Sequence, residues 1–276
     1  MIKRRIFTYL IYIIASFVAF VVSFPILWMV LTSFKTSTEI YAFPIIYFPL
    51  HLTLSHYISA LSEGNFLIYL KNSVIISFGS VIMALFVSIM PAYALSKFKF
   101  PGRNFLFFTV LLLEFLPQAS FVVPMFRLIK ALGLINTYVG VMISYLPFIT
   151  PVQIVLLIGF FENIPESIEE AAKIDGCSYM AVFSKIVLPI SISSITAVGV
   201  YSFFFSWSEL MFAMSFLTQQ DKQTIPVFLS FLVGQFGINW GELFAISTLS
   251  ILPAILIFAF LQKFFVSGLT AGAIKE

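Results

Sequence analysis

Six apolar runs, at about residues 7–32, 72–95, 105–126, 137–161, 189–216 and 243–266, take up most of this 276-residue chain. Each is long enough to cross the roughly 30 Å hydrocarbon core of a bilayer as a helix. Lipid offers no partner to backbone N–H and C=O groups, so a spanning segment must be a helix or part of a closed barrel. The runs show no sustained period-two alternation, which argues against the barrel. With 61% hydrophobic and only 10% charged residues, the chain cannot clothe a soluble domain of ordinary surface polarity. The longest stretches between runs, 33–71, 162–188 and 217–242, are too short to hold a second core. The expectation is an all-α membrane protein: one transmembrane domain over residues 1–276, with six spans.

Basic residues orient such a protein, because Lys and Arg accumulate on the cytoplasmic side. With Met1 in the cytoplasm and six spans threaded in order, Lys3, Arg4, Arg5, Lys97, Lys99, Arg103, Lys173, Lys185, Lys263 and Lys275 fall inside. Lys35, Lys71, Arg127, Lys130 and Lys222 fall outside. Both termini are therefore expected in the cytoplasm, together with loop 162–188. The first run continues to Thr32 with no small-x-small cleavage pattern, so it reads as an uncleaved helix rather than a signal peptide. Cys177 is the only cysteine, which excludes an intrachain disulfide. The net charge of +3 follows from the inside excess and is no sign of nucleic acid.

The cytoplasmic loop is the most polar long segment. Ile164, Ile168, Ala171, Ala172 and Asp175 recur at helical spacing, Asn163 and Glu166 stand three apart as an N-terminal cap, and Gly176 stops the helix. Ser178 caps a second short helix, with Met180, Phe183, Ile186 and Val187 on one face before Pro189. Two amphipathic helices joined at a glycine elbow make a knuckle that fits a groove on a partner.

The spacing Glu170-Ala171-Ala172, three residues, Gly176, nine residues, Ile186, one residue, Leu188-Pro189 resembles the cytoplasmic loop signature of permease subunits of binding-protein-dependent ABC importers. Three further segments look like the carbohydrate branch: Pro25–Lys35 with Trp28 and Ser33, the Leu132–Thr137 turn, and the tail Gln262–Lys275. The chain is similar over nearly its whole length to the shorter permease of the maltose-type heterodimer. This resemblance implies the type I ABC importer permease fold in the plasma membrane of a prokaryote. The implied function is translocation of a sugar or oligosaccharide delivered by an external solute-binding protein; a non-sugar solute such as glycerol phosphate or a polyol stays open. The implied partners are a second, different permease subunit, a cytoplasmic ABC ATPase dimer, the solute-binding protein and membrane lipid, with no cofactor.

By the same likeness, Glu170, Ala171, Ala172, Asp175, Gly176, Ile186, Leu188 and Pro189 form the contact with the ATPase. The Glu170 carboxylate suits a charge-assisted bond to an arginine there. The alanines permit close approach, and Gly176 permits the turn. The tail from Gly268 to Glu276 touches the ATPases, and loop 217–242 reaches into the binding protein.

Two acids fall inside the spans, where ionised groups are costly. Glu114 sits near the middle of the third run with Gln118 one turn away; it either faces a translocation cavity or packs between subunits. Glu209 follows Trp207 in a pattern resembling the fifth helix of carbohydrate permeases, with Ser208 where asparagine is more usual. Its expected role is substrate contact or helix packing. Trp207, beside Phe203, Phe204 and Phe205, offers flat faces on which a sugar ring can stack, or simply packs. Pro117, Pro124, Pro147 and Pro151 are expected to kink the third and fourth spans. The apolar stretch 224–233 is too short to span and is expected at the interface or against another protein.

Enzyme classes find no support. The chain has no G-x-x-x-x-G-K-[ST] phosphate loop and no G-x-S-x-G elbow. His51 and His56, five apart without the H-E-x-x-H pattern, make no zinc site. A secondary transporter or channel would leave the loop pattern without a purpose.

Overall fold

A computed structural model of the chain describes residues 2–62, 65–234 and 237–271, with side chains for 7–62, 65–233 and 237–262. Its helices are α1 (Ile2–Ser33), α2 (Ser37–Ile40), α3 (Ser55–Ser62), α4 (Phe66–Lys97), α5 (Arg103–Glu114), α6 (Gln118–Ala131) and α7 (Tyr138–Glu162). After these come α8 (Glu166–Ile174), α9 (Tyr179–Val182), α10 (Leu188–Ile190), α11 (Ile192–Ser208), α12 (Met211–Phe216), α13 (Ile225–Leu232) and α14 (Trp240–Ala271). A π-helical turn, Phe183–Val187, joins α9 to α10, and a 3-10 turn covers Gln220–Lys222. Among the described residues, the departure from all-α structure is a two-residue antiparallel pair, β1 (Val233–Gly234) with β2 (Gly237–Ile238).

Among the described residues, four helices are long and apolar enough to cross a membrane: Phe7–Ser33, Phe66–Lys97, Tyr138–Glu162 and Trp240–Gln262. Counting each of two bent pairs as one span brings the total to six. The run expected as one helix over 105–126 is α5 and α6, meeting at 101°. Proline is the cause of the break, though not of its angle: it disfavours the α region for Leu116, and Pro117 itself adopts an extended backbone at the start of α6. The run expected over 189–216 bends by 72° at Ser191 and breaks again at Glu209, which is extended. Pro147 and Pro151, by contrast, leave α7 a single element.

The chain groups into two compact units, residues 1–67 with 229–252, and residues 68–228 with 253–276. In the first, the segment after α1 is tied down by polar contacts. Lys35 Nζ donates to the Ile46 carbonyl at 2.7 Å and lies 4.2 Å over the Trp28 ring. Buried His56 meets the Lys35 carbonyl through Nε2, and the Tyr57 and Ser33 hydroxyls are 2.6 Å apart. Burial alone would push the Glu39 carboxyl up. Hydrogen bonds from the His51 ring and amide and from the Thr36 amide outweigh it and hold the group below the ordinary carboxylate range.

In the second unit α4 runs past two hydrophobic cores. Toward its N-terminal half, Ile76 and Ala84 pack with Met125, Val141, Tyr145, Phe212 and Val227. Toward its C-terminal end, Ala92, Tyr93 and Leu95 pack with Leu157, Phe161, Val182, Val187 and Val198. The short apolar stretch 224–233 thus forms α13, with Ile225 and Val227 buried in this unit and the Ile225 amide donating to Ser73 Oγ. Between the cores a buried clasp crosses three helices. Ser88 Oγ donates to Gln153 Oε1 at 2.6 Å, and Gln153 Nε2 donates to Ser202 Oγ at 2.6 Å.

Candidate functional site

The loop between α7 and α11 folds as a knuckle. Its first helix, α8, has Pro165 as its N-cap rather than the Asn163–Glu166 cap expected from spacing; the Asn163 side-chain amide instead donates back to the Gly159 carbonyl at the end of α7. The helix stops as expected at Gly176, whose φ of +84° is left-handed. The Gly176 amide donates to the Lys173 carbonyl and the Cys177 amide to the Ala172 carbonyl, both at 3.0 Å, which is the Schellman arrangement. Ser178 then caps α9, its side chain accepting from the Ala181 amide.

The rotation of α8 differs from the expected apolar face. Its buried residues are Glu169 and Ala172, three apart on one side, while Ala171 and Asp175 are exposed and Ile168 is 38% exposed. The reason is polar. Glu169 Oε2 accepts the Tyr93 hydroxyl at 2.8 Å, and Oε1 lies 3.0 Å from Lys97 Nζ in an ion pair buried on both sides. Lys97 also donates to the Ile164 carbonyl at 2.7 Å, so one ammonium meets both the helix and its lead-in. Sequence reading passed over Glu169 because two adjacent glutamates look alike. Only one of a pair 100° apart on a helix can face inward, and Ala172 three residues on was the available signal.

The turned-out side carries Glu170, Ala171, Asp175 and Gly176, with Ile174 86% exposed. A cleft of about 320 Å³ opens beside it, walled by Lys97, Lys99, Lys173, Glu169, Glu170 and Tyr179. In the second half of the knuckle Met180 is exposed, whereas Val182, Phe183 and Val187 are buried. The π-helical turn accounts for this, since its wider spacing brings residues five apart to one face. Ile186 and Leu188 pack half-buried against the same core, and Pro189 is exposed.

The four intramembrane candidates separate. Gln118 and Glu209 line one cavity of about 490 Å³ with Phe205, Ser208, Met211 and Met214, formed where the α5–α6 and α11–α12 breaks meet. Glu209 is buried, and its carboxylate accepts the amides of Phe212 at 2.9 Å and Ala213 at 3.2 Å, capping α12. Glu114, expected near mid-helix, is instead exposed as the last residue of α5, because the chain breaks directly after it. Trp207 stacks on Phe203 with centroids 5.3 Å apart and does not line the cavity. Side chains of the tail Gly268–Glu276, and residues 272–276 altogether, lie outside the described residues. Among the described residues no cluster of His, Cys, Asp and Glu could hold a metal.

Broken apolar helices around a cavity, with a polar knuckle turned out of the helix bundle, define a transport permease, and the fold agrees. The structure superposes on a chain of a bacterial ABC transporter involved in import of the acidic polysaccharide alginate, with a TM-score of 0.81 at 22% identity over 95% of this chain and 98% of that one. This is the type I ABC permease fold. Residues 84–271 match the family of binding-protein-dependent transport system inner membrane components, and the chain belongs to that family. An arabinooligosaccharides transport system permease protein of Halalkalibacterium halodurans is 34% identical over 99% of both chains. A trehalose/maltose transport system permease protein of Thermococcus litoralis is 34% identical over 95% of this chain and 94% of its own. A diacetylchitobiose uptake system permease protein of Streptomyces coelicolor is 30% identical over 91% of both.

Proposed function

We propose that the chain is the membrane-spanning permease subunit of an ATP-driven importer that takes up a sugar or oligosaccharide handed over by an external solute-binding protein. Residues 1–276 act as one transmembrane domain of six spans, α5 with α6 supplying the third and α11 with α12 the fifth, in the plasma membrane of a prokaryote with both termini in the cytoplasm. A second, different permease completes the pore, and a cytoplasmic ATPase dimer supplies the energy, since this sequence carries no phosphate loop.

The observation that carries this reading is the two-sided α8. Its outer face offers Glu170, Ala171 and Asp175 beside an exposed Gly176 elbow, while its inner face is fixed by a buried acid. That is the construction a docking element needs. Nucleotide-driven closure of the ATPase pair pushes on the outer face, and the spans behind it switch between two arrangements. The carbohydrate names borne by the arabinooligosaccharide, trehalose/maltose and diacetylchitobiose relatives support a sugar. So does the cavity chemistry. The Gln118 side-chain amide has no partner among the described residues and is available to hydroxyls, and Phe205 supplies an aromatic wall.

Reversing the charge on the outer face tests it. Glu170→Lys sets a cation against the expected arginine, and a like-charge pair at a contact costs several kcal/mol. Retention of the ATPase on affinity-purified permease should fall at least about tenfold while membrane insertion is unchanged. Normal retention and uptake by this variant would remove the docking assignment.

A further inference from the structure

Glu169 and Glu170 are neighbours in sequence with opposite surroundings. Glu170 is exposed; Glu169 is 5% exposed and held by two side chains of α4, from residues 76 and 72 positions earlier in the chain. The α4 side of this contact is itself built in. Tyr93 packs edge-on against Phe161 and Phe98 and tilted against Phe183, with centroids 4.8 to 5.8 Å apart, so its hydroxyl cannot swing away. Lys97 is the last residue of α4 and spends its ammonium on Glu169 and the Ile164 carbonyl.

Apolar packing alone would hold α8 loosely, because its own apolar share of the core is a single alanine, Ala172. A short helix with so little buried apolar surface can shift when pushed. A buried acid with a fixed cation and hydroxyl admits few alternative positions, because any displacement leaves a charge desolvated and unpaired.

We propose that Glu169, through Tyr93 and Lys97, is the positioning residue that makes the docking helix and the α4 span move as one body. Force received on the Glu170 face therefore reaches α4 through the Glu169 contact. The clasp from Ser88 through Gln153 to Ser202 then passes it across α4, α7 and α11. Nothing in the motif marks this residue: the family signature begins one position later, at Glu170. The inference rests on the docking reading, with the ATPase as the source of the push.

The test uses the permease assembled with its partner permease and ATPase, with Cys177→Ser to clear the background thiol. Spin labels on Glu166→Cys and Phe86→Cys, both exposed and neither among the docking residues, report the α8–α4 distance by double electron–electron resonance. The native complex should keep a single distance with and without ATP and vanadate. Glu169→Gln and Lys97→Met should keep it without nucleotide, and on trapping show a second distance whose share is at least about tenfold above native. Tyr93→Phe, which retains the ring packing, should lie between. One distance in every state for Glu169→Gln and Lys97→Met overturns the inference. Equal broadening without nucleotide overturns it too, by making the contact merely structural. Failure of the docking reading is distinguishable: Glu170→Lys then retains its ATPase, whatever the labels report.

Discussion

The knuckle and the cavity each bury one glutamate, and the two are satisfied by different means. Glu169 is held by side chains from a distant part of the chain, a hydroxyl at 2.8 Å and an ammonium at 3.0 Å. Glu209 is held first by its own neighbours, the backbone amides three and four residues on, with the Tyr145 hydroxyl of α7 beside it. One acid is a tie made wholly by side chains of another element; the other is chiefly a cap on a short helix. The difference teaches where motion is tolerated. A tie suits a place that must transmit displacement, and a locally capped break suits a wall that opens, since the cap travels with its helix.

Breaking the tie should cost most. Lys97→Met leaves the Glu169 carboxylate buried without its cation, a loss of about 3–5 kcal/mol, whereas the paired change Glu169→Leu with Lys97→Met should recover most of it. Thermal unfolding of the detergent-solubilised permease measures both. Equal midpoints for the single and paired variants would mean that the ion pair does not hold α8, and the contrast with Glu209 would collapse.

Removing the cap comes next. Glu209→Ala leaves the Phe212 and Ala213 amides buried without an acceptor, about 1–3 kcal/mol, and Glu209→Gln, which keeps one carbonyl oxygen, should lose less than half as much. Hydrogen exchange should quicken at α12 and leave α8 protected. Quickening at α8 as well would show that the two acids belong to one network.

The smallest effect belongs to the elbow. Nothing lies within 4 Å of a Cβ built on Gly176, so the cost of Gly176→Ala is the left-handed backbone alone, about 1–2 kcal/mol. Gly176→Val should cost more than Gly176→Ala for the same reason, through its branched carbon rather than through a clash. A loss for Gly176→Ala as large as for Lys97→Met would place a neighbour where the structure shows open space.

Several of these features were readable without coordinates. The Gly176 stop and the Ser178 cap follow from local chemistry, a residue free to take φ +84° and a hydroxyl that reaches an amide three residues on, and both stand as read. The identities from Glu170 to Pro189 and the likeness to importer permeases led to the family that residues 84–271 match. The face of α8 was readable only in part: Ala172 pointed to it, but Ile168 and Ala171 follow helical periodicity as well as Glu169 and Ala172 do. The choice depended on what waited at the end of α4. Likewise Pro117 announced a kink somewhere near Glu114, but a proline sets only its own φ and its predecessor's, and the 101° turn is set by what α5 and α6 pack against.

By itself, then, the sequence determined that this chain is helical, apolar enough for a bilayer, and punctuated by a polar knuckle with a glycine elbow. These depend on composition and on contacts within a few residues. Which glutamate of the knuckle faces inward, and whether Gln118 shares a cavity with Glu209, depend on pairs separated by tens of residues. Only tertiary packing decided those, because the energy that fixes a buried charge comes from the partner it finds, and the partner lies elsewhere in the chain.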